Sequence, residues 1–264
     1  MKIFFRELKA SLKSLLIWSV IVILFALVGF SKFSAYYQKP EMLAILNSMP
    51  KALIDAFNMS SFNLTTLNGF YGVMVTFYAL ILAIAAVMWG STIISKEERD
   101  KTVEFSLTLP VTRSTLITAK TAATTVDCIV LLLVTWGFTL VGAQNYAPDA
   151  TFYRFVAISA LAFFIIQMIF LALGIFLGCA MKKYKQAGGL AIAILLGTYF
   201  ASVISGLSKN MEFLKYFSPF KYFDPFIMQN ESRLEVSYVL LSVAIIAVCM
   251  AGAYFTYKKR DLYI

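Results

Sequence analysis

Between Ser95 and Lys120 the chain reads SKEERDKTVEFSLTLPVTRSTLITAK, and nine charged side chains crowd into it, five basic and four acidic. Ser95 followed by Glu98 has the spacing of a capping box, which starts a helix by satisfying free backbone N–H groups. Glu97, Glu98, Asp100 and Glu104 stand among Lys96, Arg99 and Lys101. A short apolar piece with helical spacing, Val103 to Leu109, carries Phe105 and Leu107. Pro110 stops it, because proline has no N–H and its ring clashes with the preceding turn. Arg113 and Lys120 follow. A compact charged element with one apolar edge suits docking into a groove on another protein, with apolar anchors giving affinity and charges giving register. A solvated charged loop has the same composition, so residue chemistry leaves both readings open.

A second set of polar residues lies in apolar surroundings. Asp127 is the one acid inside a long apolar run, and Gln167 is a weaker case of the same kind. A carboxylate in lipid is expensive, so it faces a cavity or a partner. Lys120 lies seven residues before Asp127, on nearly the same helix face. A paired or snorkelling structural role and a role lining a transport path are both open for Asp127. The chain has no histidine, which removes Ser-His-Asp catalysis and imidazole metal sites. Cys128, Cys179 and Cys249 all fall in apolar runs and read as small packing residues, not a disulfide framework. No phosphate-binding G-x-x-x-x-G-K-[ST] loop is present, so no nucleotide-hydrolysing site of that kind is expected.

The elements that must position these residues are membrane helices. Of the 264 residues, 60% are hydrophobic and 14% charged, with mean hydropathy +0.79. Soluble domains carry roughly 25% charged residues, so an ordinary soluble enzyme and a disordered chain are excluded. Six windows are free of charge: Ser14–Ser31, Ala56–Ser95, Cys128–Pro148, Phe155–Met181, Gln186–Ser208 and Val236–Tyr257. Each holds an apolar run near or above the roughly 18 residues that cross a bilayer. The expectation is an all-α protein, one transmembrane domain over 1–264, with spans near 15–30, 69–94, 118–141, 153–181, 187–207 and 236–257. Residues 31–68 and 208–235 become outer segments, the first with two short helices within Pro40–Met59. The second is rich in aromatics and proline and suits a re-entrant or surface-lying element. Gly174-x-x-x-Gly178 allows close helix approach without identifying a dimer interface.

Six spans put both termini on one side. That side receives 15 of the 23 Lys and Arg residues, so both termini are expected in the cytoplasm. The net charge of +9 therefore reads as membrane orientation and lipid contact, not nucleic-acid binding. The first apolar run is long and lacks a small-residue cleavage pattern, so it reads as a span and not a removable leader. Before it, Lys2, Arg6, Lys9 and Lys13 share one face, while Phe4, Phe5, Leu8 and Leu12 cluster on another. Residues 1–14 are expected to form an amphipathic interfacial helix.

The order Glu97-Glu98, Thr102, Glu104, Leu107, Pro110-Val111, Arg113 and Lys120 resembles the signature of type-2 ABC transporter permeases. Lys101 stands where that family usually has Gly, and Thr112 where Ser is common. Ser218-Pro219-Phe220 before Tyr222-Phe223-Asp224, the ending Lys259-Arg260-Asp261-Leu262 and the outer loop with Leu46 to Pro50 extend the resemblance over the whole chain. The resemblance implies a permease that pairs with a second permease, as homodimer or heterodimer, on two cytoplasmic ATP-binding cassette subunits. It implies that Glu97, Glu98, Thr102, Glu104, Phe105, Leu107, Pro110 and Arg113 form the ATPase-coupling segment 95–117, with a coupling helix at Thr102–Leu109. Residues 2–13 would match the family's elbow helix. ATP and Mg would be bound by the partner subunit, and this chain would hold no cofactor and not be an enzyme.

A bacterial plasma-membrane exporter of an amphipathic or hydrophobic compound (a peptide, antibiotic or drug) is the leading expectation. Its 24 Phe and 11 Met offer adaptable apolar walls, although lipid-facing helices need the same residues. Export of a lipid-linked glycan, lipid or sodium is the alternative within the family. An ion-gradient-driven secondary transporter is the alternative outside it, and the scarcity of intramembrane charge weighs against that. A membrane-embedded enzyme is disfavoured by the missing histidine and metal-ligand clusters.

Overall fold

The computed structural model describes residues 2–39, 41, 54, 62–99, 112–181, 184–207 and 209–259. Every regular element among them is helical. Six are long and apolar enough to cross a membrane: α1 (Lys2–Tyr36), α2 (Leu67–Arg99), α3 (Arg113–Ala143), α4 (Ala150–Ala180), α5 (Tyr184–Leu207) and α6 (Val236–Lys259). In hydrocarbon a backbone finds no partner but itself, so apolar runs of this length close into helices. The protein is an all-α, multi-pass membrane protein, as the charge-free windows require.

The turns follow local chemistry. Thr112 caps α3 by accepting from the Thr115 amide at 3.2 Å. Asp149 caps α4 by accepting from the Phe152 amide at 2.8 Å. Both fix free N–H groups of a first helical turn. The amphipathic stretch expected at 1–14 is helical from Lys2 and continuous with the first span, α1 running unbroken to Tyr36. No Pro or Gly occurs from Lys2 to Val28, so nothing in the chain interrupts the helical ladder. The two short outer helices expected within Pro40–Met59 lie outside the described residues, apart from the helical positions 41 and 54.

Burial ranks the helices. The most apolar windows of α2 and α4 are 67% and 61% buried, against 11% for α5 and for α6. α2 and α4 are therefore the central pair, and they pack more extensively on each other than any other two elements do. Their contact is built on glycine. A Cβ on Gly174 would lie 2.6 Å from the Val87 carbonyl oxygen and 2.8 Å from the Ser91 nitrogen. A Cβ on Gly90 would strike the Leu171 carbonyl oxygen. The Gly174-x-x-x-Gly178 pattern is thus used inside the subunit, where missing side chains let two backbones touch. Above this contact Tyr71 and Ser159 join α2 to α4 through hydroxyls 2.7 Å apart.

The segment between α5 and α6 folds back onto the bundle. Residues 209–217 and 219–221 form 3-10 turns, and a short helix spans Pro225–Glu231. Asp224 caps that helix by accepting from the Phe226 amide, with Pro225 in its first turn. Phe223 and Met228 are buried, and Phe220 stacks on Phe170 of α4 with centroids 5.2 Å apart. Tyr222 stacks nearly flat on Tyr238 of α6 at 5.1 Å and donates to the Tyr216 carbonyl at 2.6 Å. Burial and the neighbouring Tyr238 phenol both push the Tyr222 phenol above its ordinary range.

Candidate coupling and translocation site

The buried charged residues among those described are Glu7, Lys120 and Asp127. Three helices, α1, α3 and α4, meet around positions 127 and 128 at the middle of α3. Asp127 is 2% exposed and accepts from the Ser11 hydroxyl of α1 at 3.1 Å. One residue on, the Cys128 carbonyl accepts from the Gln167 amide of α4 at 3.3 Å. The two residues singled out for a transport path, Asp127 and Gln167, are therefore brought to one level. In this conformation both are buried and bonded to other helices.

Asp127 is not paired with Lys120. The Lys120 ammonium, itself 1% exposed, donates to the Ile93 carbonyl of α2 at 2.8 Å. Seven residues put two side chains on one face of α3 but a vertical distance of about 10 Å apart. α2 and α1 come between them as nearer partners. The paired reading of Asp127 is corrected on this point: its partner is Ser11.

Three residues of α1 escaped the sequence reading. Glu7, Ser11 and Ser14 recur at four- and three-residue spacing, so they form one polar stripe. That stripe faces the bundle. Glu7 is 4% exposed and bonds to Arg6 at 3.3 Å, and Ser14 accepts from the indole N–H of Trp89 in α2 at 2.8 Å. The basic face of residues 2–13 dominates the sequence and hides this stripe, although a lone acid among cations is a usable signal. Between α1 and α2 the stripe borders a cavity of about 270 Å³.

The charged link itself is framed by helix ends. Glu97 and Glu98 fall in the last turn of α2, and their side chains are outside the described residues. Thr102, Glu104, Phe105, Leu107 and Pro110 lie outside them altogether. Arg113 opens α3, and its guanidinium donates to the carbonyls of Tyr257 and Lys258 at 3.1 and 3.3 Å. These are carbonyls of the last turn of α6, where a helix has spare acceptors and a negative dipole end. One turn further, the Thr118 and Tyr254 hydroxyls lie 2.7 Å apart. Cys128, Cys179 and Cys249 are free thiols, as expected. Among the described residues no group of three possible metal ligands occurs.

The arrangement is mechanical in character. A charged link joins α2 to α3 in sequence; directed hydrogen bonds tie α2 to α1 at Trp89, and α3 to α6 at Arg113, to α1 at Asp127 and to α4 at Cys128. The sequence model of the family described as ABC-2 family transporter protein matches residues 1–262. The chain belongs to the ABC-2 transporter family. No curated protein matches it. As an ABC-2 permease it is the membrane-embedded subunit of a transporter and works with an ATP-binding subunit. In this ABC-2 permease Trp89 of α2 is joined to Ser14 of α1, and Arg113, which follows the charged link, is joined to the end of α6.

Proposed function

We propose that this permease forms the export path for an amphipathic or hydrophobic compound, a peptide, antibiotic or drug, across the bacterial plasma membrane. Two copies of a cytoplasmic ATP-binding cassette subunit bind ATP and Mg and drive it. A second permease subunit, identical or related, completes the assembly, and both termini are cytoplasmic. The segment 95–117 couples the two, with Glu97, Glu98, Thr102, Glu104, Phe105, Leu107, Pro110 and Arg113 at the ATPase contact. Residues 1–14 act as the elbow. Asp127 and Gln167 line the path when the helices separate.

The observation that supports this reading best is the pair of ties flanking the link. Arg113 binds the end of α6, and Trp89 binds α1 through Ser14. A push on the link is thereby shared among helices, which suits rigid-body switching between two packed states. The basic excess on the terminal side supports the orientation.

The test is co-purification followed by transport. A tagged chain should bring an ATP-binding subunit with it, and inside-out vesicles should accumulate a hydrophobic cation or peptide only with ATP. Leu107→Ala and Glu104→Ala should weaken that association at least several-fold. Transport that ignores ATP and collapses with an ionophore would instead establish a gradient-driven transporter.

A further inference from the structure

The cavity between α1 and α2 faces two opposite charges that do not meet. On one side stands Glu7, whose second carboxylate oxygen is buried and has no hydrogen-bond partner among the described residues. On the other stands Lys96, half-buried, which makes no hydrogen bond or ion pair with the described residues. Ser11, Ser14, Trp18 and Trp89 complete the wall. Beside it, the second oxygen of Asp127 is also without a partner among the described residues. Unsatisfied carboxylate oxygens are costly in a low-dielectric setting, so they mark where a donor belongs.

Position narrows the donor. The cavity spans Glu7 to Trp18 on α1 and Met88 to Lys96 on α2. On both helices that is where charged residues give way to the charge-free windows that begin at Ser14 and end at Ser95. It therefore lies at the level of lipid headgroups, whichever face of the membrane the termini occupy. It also opens sideways, since Ala10, Met88 and Thr92 on its rim are exposed. α1 and α2 touch only sparsely, so a guest can enter between them.

We propose that this cavity binds the headgroup of a zwitterionic phospholipid carrying a primary ammonium, the ethanolamine class. The phosphate sits on Lys96, which offers a compact cation with three donors. The ammonium donates to Glu7 and to the Ser11 and Ser14 hydroxyls, with the indoles of Trp18 and Trp89 providing further cation-attracting surface. One Glu7 oxygen is already paired with Arg6; the headgroup gives the second oxygen an N–H donor and gives Lys96 an anion, whereas an anionic headgroup brings no cation and a quaternary one no N–H. A bound lipid of this kind wedges α1 against α2 next to the coupling link, and does so whatever the cargo is.

The full chain in nanodiscs of equimolar ethanolamine, choline and glycerol phospholipids tests this. Native mass spectrometry after detergent transfer reads which lipid stays bound. The wild type should retain the ethanolamine lipid at least several-fold over both others. Glu7→Gln should bring the ethanolamine and glycerol lipids to parity, and Lys96→Gln should lose both. Ala10→Trp, at an exposed rim position, should block retention without touching either charge, and its melting temperature should match the wild type. Equal retention of the three lipids, or an unchanged preference in Glu7→Gln, would overturn the proposal. Displacement by soluble phosphoethanolamine with no preference among lipids would overturn the lipid assignment in favour of a free zwitterion.

Discussion

Ser11 and Asp127 are 116 positions apart in the chain and 3.1 Å apart in space, joined by one hydrogen bond between α1 and α3. The bond leaves the other Asp127 oxygen without a partner among the described residues. A buried carboxylate held by one hydroxyl is finely balanced, and Ser11→Ala should expose that balance. Removing the donor should destabilise the protein by about 1–3 kcal/mol, read as a lower melting temperature in detergent. Asp127→Asn should restore most of the loss in the double variant, because a neutral amide costs less to bury. A double variant no more stable than Ser11→Ala would mean that the carboxylate is not the source.

Gly90 and Gly174 should be intolerant in a way that Gly137 is not. Gly174→Val places atoms where the Val87 carbonyl and the Ser91 nitrogen already stand. Overpacking of this kind costs about 1–3 kcal/mol, and more where backbone is the obstacle. Gly137 has open space within 4 Å of its Cβ position, so Gly137→Ala should be neutral or stabilise by about 0.5–1 kcal/mol. Expression level and melting temperature of the two variants separate the cases.

Arg113→Ala should uncouple more than it unfolds. The lost bonds to the Tyr257 and Lys258 carbonyls are charge-assisted, worth about 1.5–3 kcal/mol together with their dipole contribution. Transport per ATP hydrolysed should fall several-fold while the ATP-binding subunit still co-purifies. Arg113→Lys should recover part of it, since the ammonium keeps a charged donor but does not reproduce the position of the guanidinium nitrogen that donates to both carbonyls.

Tyr222 separates hydroxyl from ring. Tyr222→Phe removes only the bond to the Tyr216 carbonyl and should cost about 1 kcal/mol. Tyr222→Ala also removes the stack on Tyr238 and should cost about 3–5 kcal/mol. Both are read by thermal unfolding, and equal losses would show that the stack contributes nothing.

Much of the architecture was legible in the sequence because lipid is a demanding solvent. Windows such as Phe155–Met181 have one outcome in hydrocarbon, and α4 ends within a residue of that window's edge. Caps such as Thr112 and Asp149 act over three residues, so they too are local signals. The amphipathic stretch at 1–14 continues into the first span, because amphipathic character marks a change of solvent, whereas a break in a helix needs a residue that disrupts the ladder. The site was only half legible. Asp127 and Gln167 stood out as polar residues in apolar runs, but Glu7 was lost among the cations around it.

Read alone, the chain already specifies a six-span helical membrane protein of the ABC-2 kind, with nine of its 37 charged residues in one link. Those properties depend on local composition and on motifs read within a few tens of residues. Helix packing alone sets which spans are central, that Gly174 meets Gly90 within one subunit, and that Asp127 answers to Ser11 and not to Lys120. Partners of that sort are chosen by which helix faces come within about 3 Å, and helices that all satisfy the same lipid carry no label for their neighbours.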